Sequence, residues 1–205
     1  MNEVCIVTPD REYLKNIVRE TYTAVADDPA TEFHFHVGLE YAVRLLGYDR
    51  AELESLPEIA TSRFAGLGNP LAIGPIHPGE TVVDLGSGAG MDLLLAARRV
   101  GRLGRVIGVD PTPAMRSTAW QAACEAGLAE QVWMLEGEVE SIPLTDGVAD
   151  VVISNGVLNL GVDKARVFRE IARVLKPGGR AYLADAVIDR PFGPATLSDP
   201  ALWAS

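Results

Sequence analysis

Basic side chains are scarce in this 205-residue chain: 18 Lys and Arg stand against 28 Asp and Glu, a net charge of -10. Nucleic-acid binding needs clustered cations that displace counterions from phosphate, so this balance argues against a nucleic-acid partner. Uncharged runs are short. Val151 to Val162 spans 12 residues, with two Gly and two Asn among them, whereas a bilayer-spanning helix needs about 20 apolar residues. The N-terminus, Met-Asn-Glu-Val-Cys, has neither the basic stretch nor the apolar block of a secretory signal. Cysteine is limited to Cys5 and Cys124, with no partner spacing, which excludes a disulfide scaffold and fits a reducing compartment. No internal repeat or low-complexity tract is present, which removes solenoid architectures. The expectation is a soluble, cytoplasmic protein that handles a small molecule, with no membrane and no nucleic-acid partner.

What is present is 48% hydrophobic residues in a length suited to one domain with an added helical segment. A chain of this size buries roughly 70% of its unfolded surface and needs no metal or disulfide to fold. Two textures divide it. Residues 1–79 read as a helical cap and residues 80–205 as an α/β core. In the cap, Thr8 and Pro9 signal the start of a helix whose apolar stripe runs Leu14, Ile17, Val18, Tyr22, Val25. A second helical segment, about Gly38 to Leu46, ends at Gly47, and Asp49 with Glu52 resembles a capping box for a short helix up to Leu56. From Thr81 the pattern alternates. Strands are expected at Thr81–Leu85, Arg105–Val109, Gln131–Leu135, Ala149–Ser154 and Arg180–Val187. Helices are expected at Leu93–Val100, at Pro113–Gly127, and after Asp163, where Val167, Phe168, Ile171, Val174 and Leu175 form the stripe up to a stop at Lys176-Pro177-Gly178-Gly179. This alternation implies a doubly wound, mostly parallel sheet with right-handed crossovers, preceded by the N-terminal helical cap.

The chemistry concentrates in Asp84-Leu85-Gly86-Ser87-Gly88-Ala89-Gly90, directly after the first strand. Glycines there let the backbone turn tightly and approach a ligand. A dinucleotide fold carries Gly-x-Gly-x-x-Gly; this chain has Gly-x-Gly-x-Gly, which disfavours a nicotinamide dehydrogenase. The second strand ends at Asp110, twenty residues after Gly90, where a carboxylate can accept both ribose hydroxyls of an adenosine ligand. A glycine loop alone is weak evidence, but the loop together with Asp84 and Asp110 is specific.

Residues 80–188 resemble a class I S-adenosylmethionine-dependent methyltransferase of Rossmann-like fold, and residues 16–205 resemble its arsenite methyltransferase-like branch. The likeness rests on Val-Asp-Leu-Gly-Ser-Gly-Ala-Gly-Met-Asp (83–92), Val-Ile-Gly-Val-Asp (106–110) and Val-Val-Ile-Ser-Asn-Gly-Val-Leu-Asn-Leu (151–160). It extends to Asp163-Lys164, Phe168-Arg169-Glu170 and Arg173 through Arg180. The resemblance implies an enzyme using S-adenosyl-L-methionine. Gly86, Ser87, Gly88 and Gly90 would line its methionyl and ribose part, with Asp84 near its amino group and Asp110 on its ribose hydroxyls. Pro111 would cover an adenine face, and Glu138 with Val139 would hold the adenine amino group. Asn155 would contact the methionyl segment, Tyr22 would close over it, and Gly68-Asn69-Pro70 resembles a lid. Bland alternatives stay open beside these: Glu138 as an ordinary acidic loop residue, Tyr22 as a core tyrosine, Asp92 as a helix-start charge.

The chain departs from that branch in three places. Cysteines that serve the family as arsenic ligands are replaced by Leu67 and Gly156, and Cys5 and Cys124 match neither position. The acceptor is therefore expected to be a small molecule other than arsenite. In Glu32-Phe33-His34-Phe35-His36, an extended backbone puts Glu32, His34 and His36 on one face. His34 or His36 is then a candidate catalytic base, and the bland reading is two phenylalanines packed inward with polar residues outward; no metal is assigned. Ser198-Asp199-Pro200 starts a helix pattern that stops at Ser205, where relatives continue with the last sheet strands. An edge left open on the fifth strand would be covered by a homodimer. The alternative to an enzyme is a cofactor-binding but catalytically incomplete partner or sensor.

Overall fold

The structure, a computed structural model, describes residues 11–187. The Thr8-Pro9 cap, Cys5 and the Ser198-Asp199-Pro200 pattern lie outside the described residues. Four helices come first: α1 (Arg11–Asp27), α2 (Leu39–Leu46), α3 (Arg50–Glu54) and α4 (Glu58–Thr61). Then follow β1 (Thr81–Leu85), α5 (Met91–Val100), β2 (Arg105–Asp110), α6 (Pro113–Glu125), β3 (Val132–Glu136), β4 (Ala149–Asn155), α7 (Lys164–Val174) and β5 (Leu175–Ala184). The five strands form one all-parallel sheet in the order β3-β2-β1-β4-β5. None of the described helices is long and apolar enough to cross a membrane.

Local signals in the sequence account for most boundaries. Gly47 closes α2 in the left-handed conformation. Asp49 caps α3 by accepting from the Glu52 amide at 2.9 Å, and Asp163 caps α7 from the Arg166 amide at 2.9 Å. β1 is buried from Val82 to Leu85, as a parallel strand covered on both faces must be. Its pleat sends Val82 into one core and Val83 with Leu85 into the other. The first core is filled by Leu93, Leu94 and Val100 of α5, by Ala119 and Ala122 of α6, and by Leu53, Ala60 and Phe64 of the N-terminal region. The second is filled by Val167, Ile171 and Val174 of α7.

Two expectations are corrected. Phe168 does not join the α7 stripe: it is 53% exposed, because it stands about 100° round the helix from Val167, past the edge of the buried face. The fifth strand begins earlier and ends sooner than Arg180–Val187. Leu175 already pairs with Ala149, and pairing resumes at Arg180 opposite Val151. Lys176 to Gly179 bulge out between them, with Gly178 at φ 79. Asp185 leaves the strand and accepts instead from the Leu158 amide at 2.7 Å.

The connection from β3 to β4, residues 137–148, carries no helix. Its backbone is held by α7. Arg173 donates to the carbonyls of Leu144 and Ile142 at 2.7 and 2.9 Å and pairs with Glu170, which accepts from the Ile142 amide at 2.9 Å. Arg173→Ala should therefore lower the urea-unfolding free energy by about 1–2 kcal/mol, since charge-assisted hydrogen bonds to partly buried carbonyls are lost. Phe168→Ser should change it by less than about 0.5 kcal/mol. Equal losses in the two variants would contradict this assignment.

Candidate active site

Parallel register brings the strand ends into one row: Leu85 pairs with Val109 and with Ser154, Asp110 with Glu136, and Asn155 with Ala184. Strand order reverses between β1 and β4, so the chain leaves their ends in opposite directions and opens a crevice there. A cleft opens at this edge, lined by residues from four strand ends and from α1. β1 and its loop contribute Asp84, Gly86, Ser87 and Gly88; β2 contributes Asp110 and then Pro111. The loop after β3 supplies Glu138 and Val139, β4 supplies Asn155, and α1 supplies Tyr22.

Gly90 is not among the lining residues. It joins the loop to α5 at φ 94, donating to the Ser87 carbonyl at 2.9 Å. A Cβ on it would lie 3.0 Å from that of Ala119, so its place is between α5 and α6. Gly86 is different: it faces the cleft at φ 66, and a Cβ there would overlap the Val157 side chain.

Three buried aspartates line the floor. Asp110 Oδ2 accepts from the Gly88 amide at 2.9 Å and its Oδ1 from the Thr112 amide at 2.8 Å, tying the glycine loop to β2. Asp92, on α5, accepts from the Tyr48 hydroxyl at 2.7 Å and from Asn155 Nδ2 at 3.0 Å. Asp84 Oδ2 is buried without a hydrogen-bond partner, and so is Ser87 Oγ. Burial raises all three acids from the ordinary aspartate value. Asp84 is raised further by the charges of Asp92 and Asp110. Asp92 is pushed up to about 6 against the pull of its two hydrogen bonds and of Arg99.

α1 lines the mouth with Lys15, Val18, Arg19 and Tyr22. Tyr22 stacks on Phe35 at 5.9 Å, and Phe35 on Phe33 at 5.4 Å. Burial, then the fields of Asp110 and Asp185, push the Tyr22 phenol up to about 12, so it stays protonated. One turn back along α1, Arg19 donates to Glu138 Oε1, and Lys15 lies 3.8 Å from Glu138 Oε2. Sequence reasoning missed both cations, although Lys15, Arg19 and Tyr22 share one helical face by their spacing. It also missed Tyr48, which no local pattern marks. His34 and His36 lie outside the cleft lining and are exposed, with Phe33 and Phe35 turned inward. Among the described residues, no group of three or more His, Cys, Asp or Glu is placed to hold a metal ion.

Residues 76–203 match a family of methyltransferase domains. The chain is 39% identical to the arsenite methyltransferase of Halobacterium salinarum, over 97% of this chain and 54% of that protein. With the arsenite methyltransferase of Aquipseudomonas alcaligenes it shares 37% identity, over 72% of this chain and 43% of the relative. Among solved structures, the arsenic(III) S-adenosylmethionine methyltransferase of Chlamydomonas reinhardtii superposes with a TM-score of 0.68 at 39% identity, covering 75% of this chain and 53% of that one. The chain spans about half the length of the curated relatives it matches. It belongs to the class I S-adenosylmethionine-dependent methyltransferases, in their arsenite methyltransferase-like branch.

The buried acids have a consequence for stability. The folded chain keeps Asp92 protonated up to about pH 6, whereas the unfolded carboxyl loses its proton near 3.8. The native state thus binds more protons over that interval, and stability falls as pH rises through it. Asp92→Asn should flatten the decline between pH 4 and 7 by up to about 3 kcal/mol. Urea unfolding of both proteins across that range measures it, and parallel slopes would refute the assignment.

Proposed function

We propose that the chain transfers a methyl group from S-adenosylmethionine to a small-molecule acceptor, and that this acceptor is not arsenite. Asp84 carries the reading: its unpartnered oxygen, buried at the end of β1, calls for a cationic group. The ammonium of the cofactor's methionyl part answers that need. Gly86, Ser87 and Gly88 would pass along the methionyl and ribose part. Asp110, braced by two backbone amides, would take the ribose hydroxyls, with Pro111 and Val139 beside the adenine. Glu138 would meet the adenine amino group with whatever capacity its pairing with Arg19 and Lys15 leaves. On this reading residues 1–79 act as the cap and residues 80–205 as the cofactor-binding core.

When bound, S-adenosylmethionine supplies a methyl group on a cationic sulfur that is already an activated leaving group. What remains for the chain is to orient the acceptor in line and to keep water out. Tyr22, Phe64, Val157 and Leu160 line that part of the cleft with largely apolar surface. A base from the chain is needed only for an acceptor that must lose a proton, and His34 and His36, the candidates read from the sequence, lie outside the cleft lining. The acceptor end supports a change of substrate. A Cβ on Gly156 would lie 3.1 Å from Leu67 Cγ, so the two positions at which the family resemblance implies thiols adjoin here without sulfur. Cys124 is exposed on α6 and is not among the lining residues, and soft thiolates are what a thiophilic metalloid requires. No observation favours the incomplete-partner alternative.

Calorimetric titration of S-adenosylhomocysteine into the purified 205-residue chain tests the reading. Wild type should bind saturably and Asp110→Ala about 10–100-fold more weakly, as loss of charge-assisted hydrogen bonds predicts. Arsenite should give no methylated product when S-adenosylmethionine is supplied. A folded wild type that binds no S-adenosylhomocysteine would refute the proposal.

A further inference from the structure

Asn155 stands at the end of β4 with every hydrogen-bonding position occupied. Its Oδ1 accepts from the Leu67 amide at 2.8 Å and the Gly68 amide at 3.0 Å. Its Nδ2 faces the Gly68 carbonyl at 2.8 Å, Asp92 Oδ2 at 3.0 Å and the Tyr48 hydroxyl at 3.2 Å. An amide side chain has two acceptor sites and two hydrogens, so nothing is left for a ligand. We propose that Asn155, Asp92 and Tyr48 form a clamp that fixes the backbone of residues 66–68 as a wall of the cleft, so that Asn155 and Tyr48 act on the bound cofactor as positioning residues rather than as contacts. This rests on the methyltransferase reading of the cleft.

The surroundings are built for the clamp. Tyr48 is buried on the far side of the wall, meets Phe64 edge-on at 5.4 Å, and gives its proton to Asp92 Oδ1 at 2.7 Å. Tyr41 donates to the Gly66 carbonyl at 3.0 Å, which holds the other end of the segment. Any side chain at residue 66 would overlap the Asn155 amide, so Gly66 is what lets the strand end and the wall meet. Gly66, Asp92 and Asn155 all face the cleft, whereas Tyr48 is not among its lining residues. An effect of Tyr48 on ligand binding therefore has to travel through Asn155, Asp92 or the wall.

The test uses the full chain, with amide hydrogen exchange at residues 64–70 and calorimetric binding of S-adenosylhomocysteine. Tyr48→Phe should speed exchange at Leu67 and Gly68 and weaken binding about 3–10-fold, the size of one hydrogen bond. Asn155→Ala should do more on both counts, and the double variant should bind no more weakly than Asn155→Ala alone, because the two act as one unit. Gly66→Ala, which forces the Asn155 amide aside without removing a hydrogen-bonding group, should reproduce the fast exchange. Tyr48→Phe with unchanged exchange and unchanged affinity, beside an Asn155→Ala that loses binding, would make Asn155 a direct ligand contact and overturn the clamp. Absence of binding by wild type would instead overturn the methyltransferase reading and the cofactor effect with it; exchange, which needs no ligand, tells that failure apart from a failed clamp.

Discussion

Asp84, Asp92 and Asp110 are buried at the ends of β1 and β2 and at the start of α5, and among the described residues none of them forms an ion pair. Burying a carboxylate without compensation is costly, and the fold answers each case differently. Backbone amides of the glycine loop and of Thr112 serve Asp110. A tyrosine and an asparagine from outside the loop serve Asp92. Asp84 keeps one oxygen that nothing among the described residues satisfies. The floor of the cleft is therefore selective in sign. A dinucleotide pyrophosphate would bring two negative charges against it, while a ligand carrying an ammonium and a cationic sulfur would relieve it. That argument from charge agrees with the glycine spacing, which independently disfavours a dinucleotide.

Strand order explains why the three acids meet. From β1 the chain steps outward to β2 and β3, then crosses back to β4 on the other side of β1. Loops leaving β1 and β4 diverge, and the gap between them is the cleft. The return crossing lacks a helix, so side chains of α7 carry its backbone hydrogen bonds. Glu170 and Arg173, which belong to the sequence stretches shared with the family, do this work at a distance from the site. Their effect on the cleft is indirect: the same crossing carries Glu138 and Val139 to its mouth.

Much of this was legible in the chain because the signals are local. Five apolar runs, the capping residues Asp49 and Asp163, and the glycine loop each report on a few neighbouring residues. The parallel sheet follows from their alternation. What escaped depends on contacts between distant segments. The partners of Asn155, for example, are Leu67, Gly68, Asp92 and Tyr48, which lie up to 107 positions away and carry no local mark. Gly90 reads as part of the ligand loop, yet its bare Cα faces Ala119 of a neighbouring helix. The early pairing of Leu175 was hidden because Lys-Pro-Gly-Gly signals a stop, and a bulge within a strand satisfies that signal as well as a turn before one. Phe168 shows the limit of periodicity: a stripe drawn one residue too wide still looks regular.

The cap and the wall divide the proposed chemistry between them. Glu138 is approached by two cations from α1, which offset an acid that would otherwise add to the negative floor. At the other end, the wall at residues 66–68 meets Gly156, whose φ of 70 lies in the left-handed region where a side chain is strained. A cysteine at residue 156 would have to adopt that conformation and also displace Leu67. Restoring thiols at both positions would thus require the wall to shift, whereas the carboxylates and the glycine loop would be untouched. On the proposed reading, acceptor choice is separable from cofactor binding in this fold, and the clamp at Asn155 is where the two regions join.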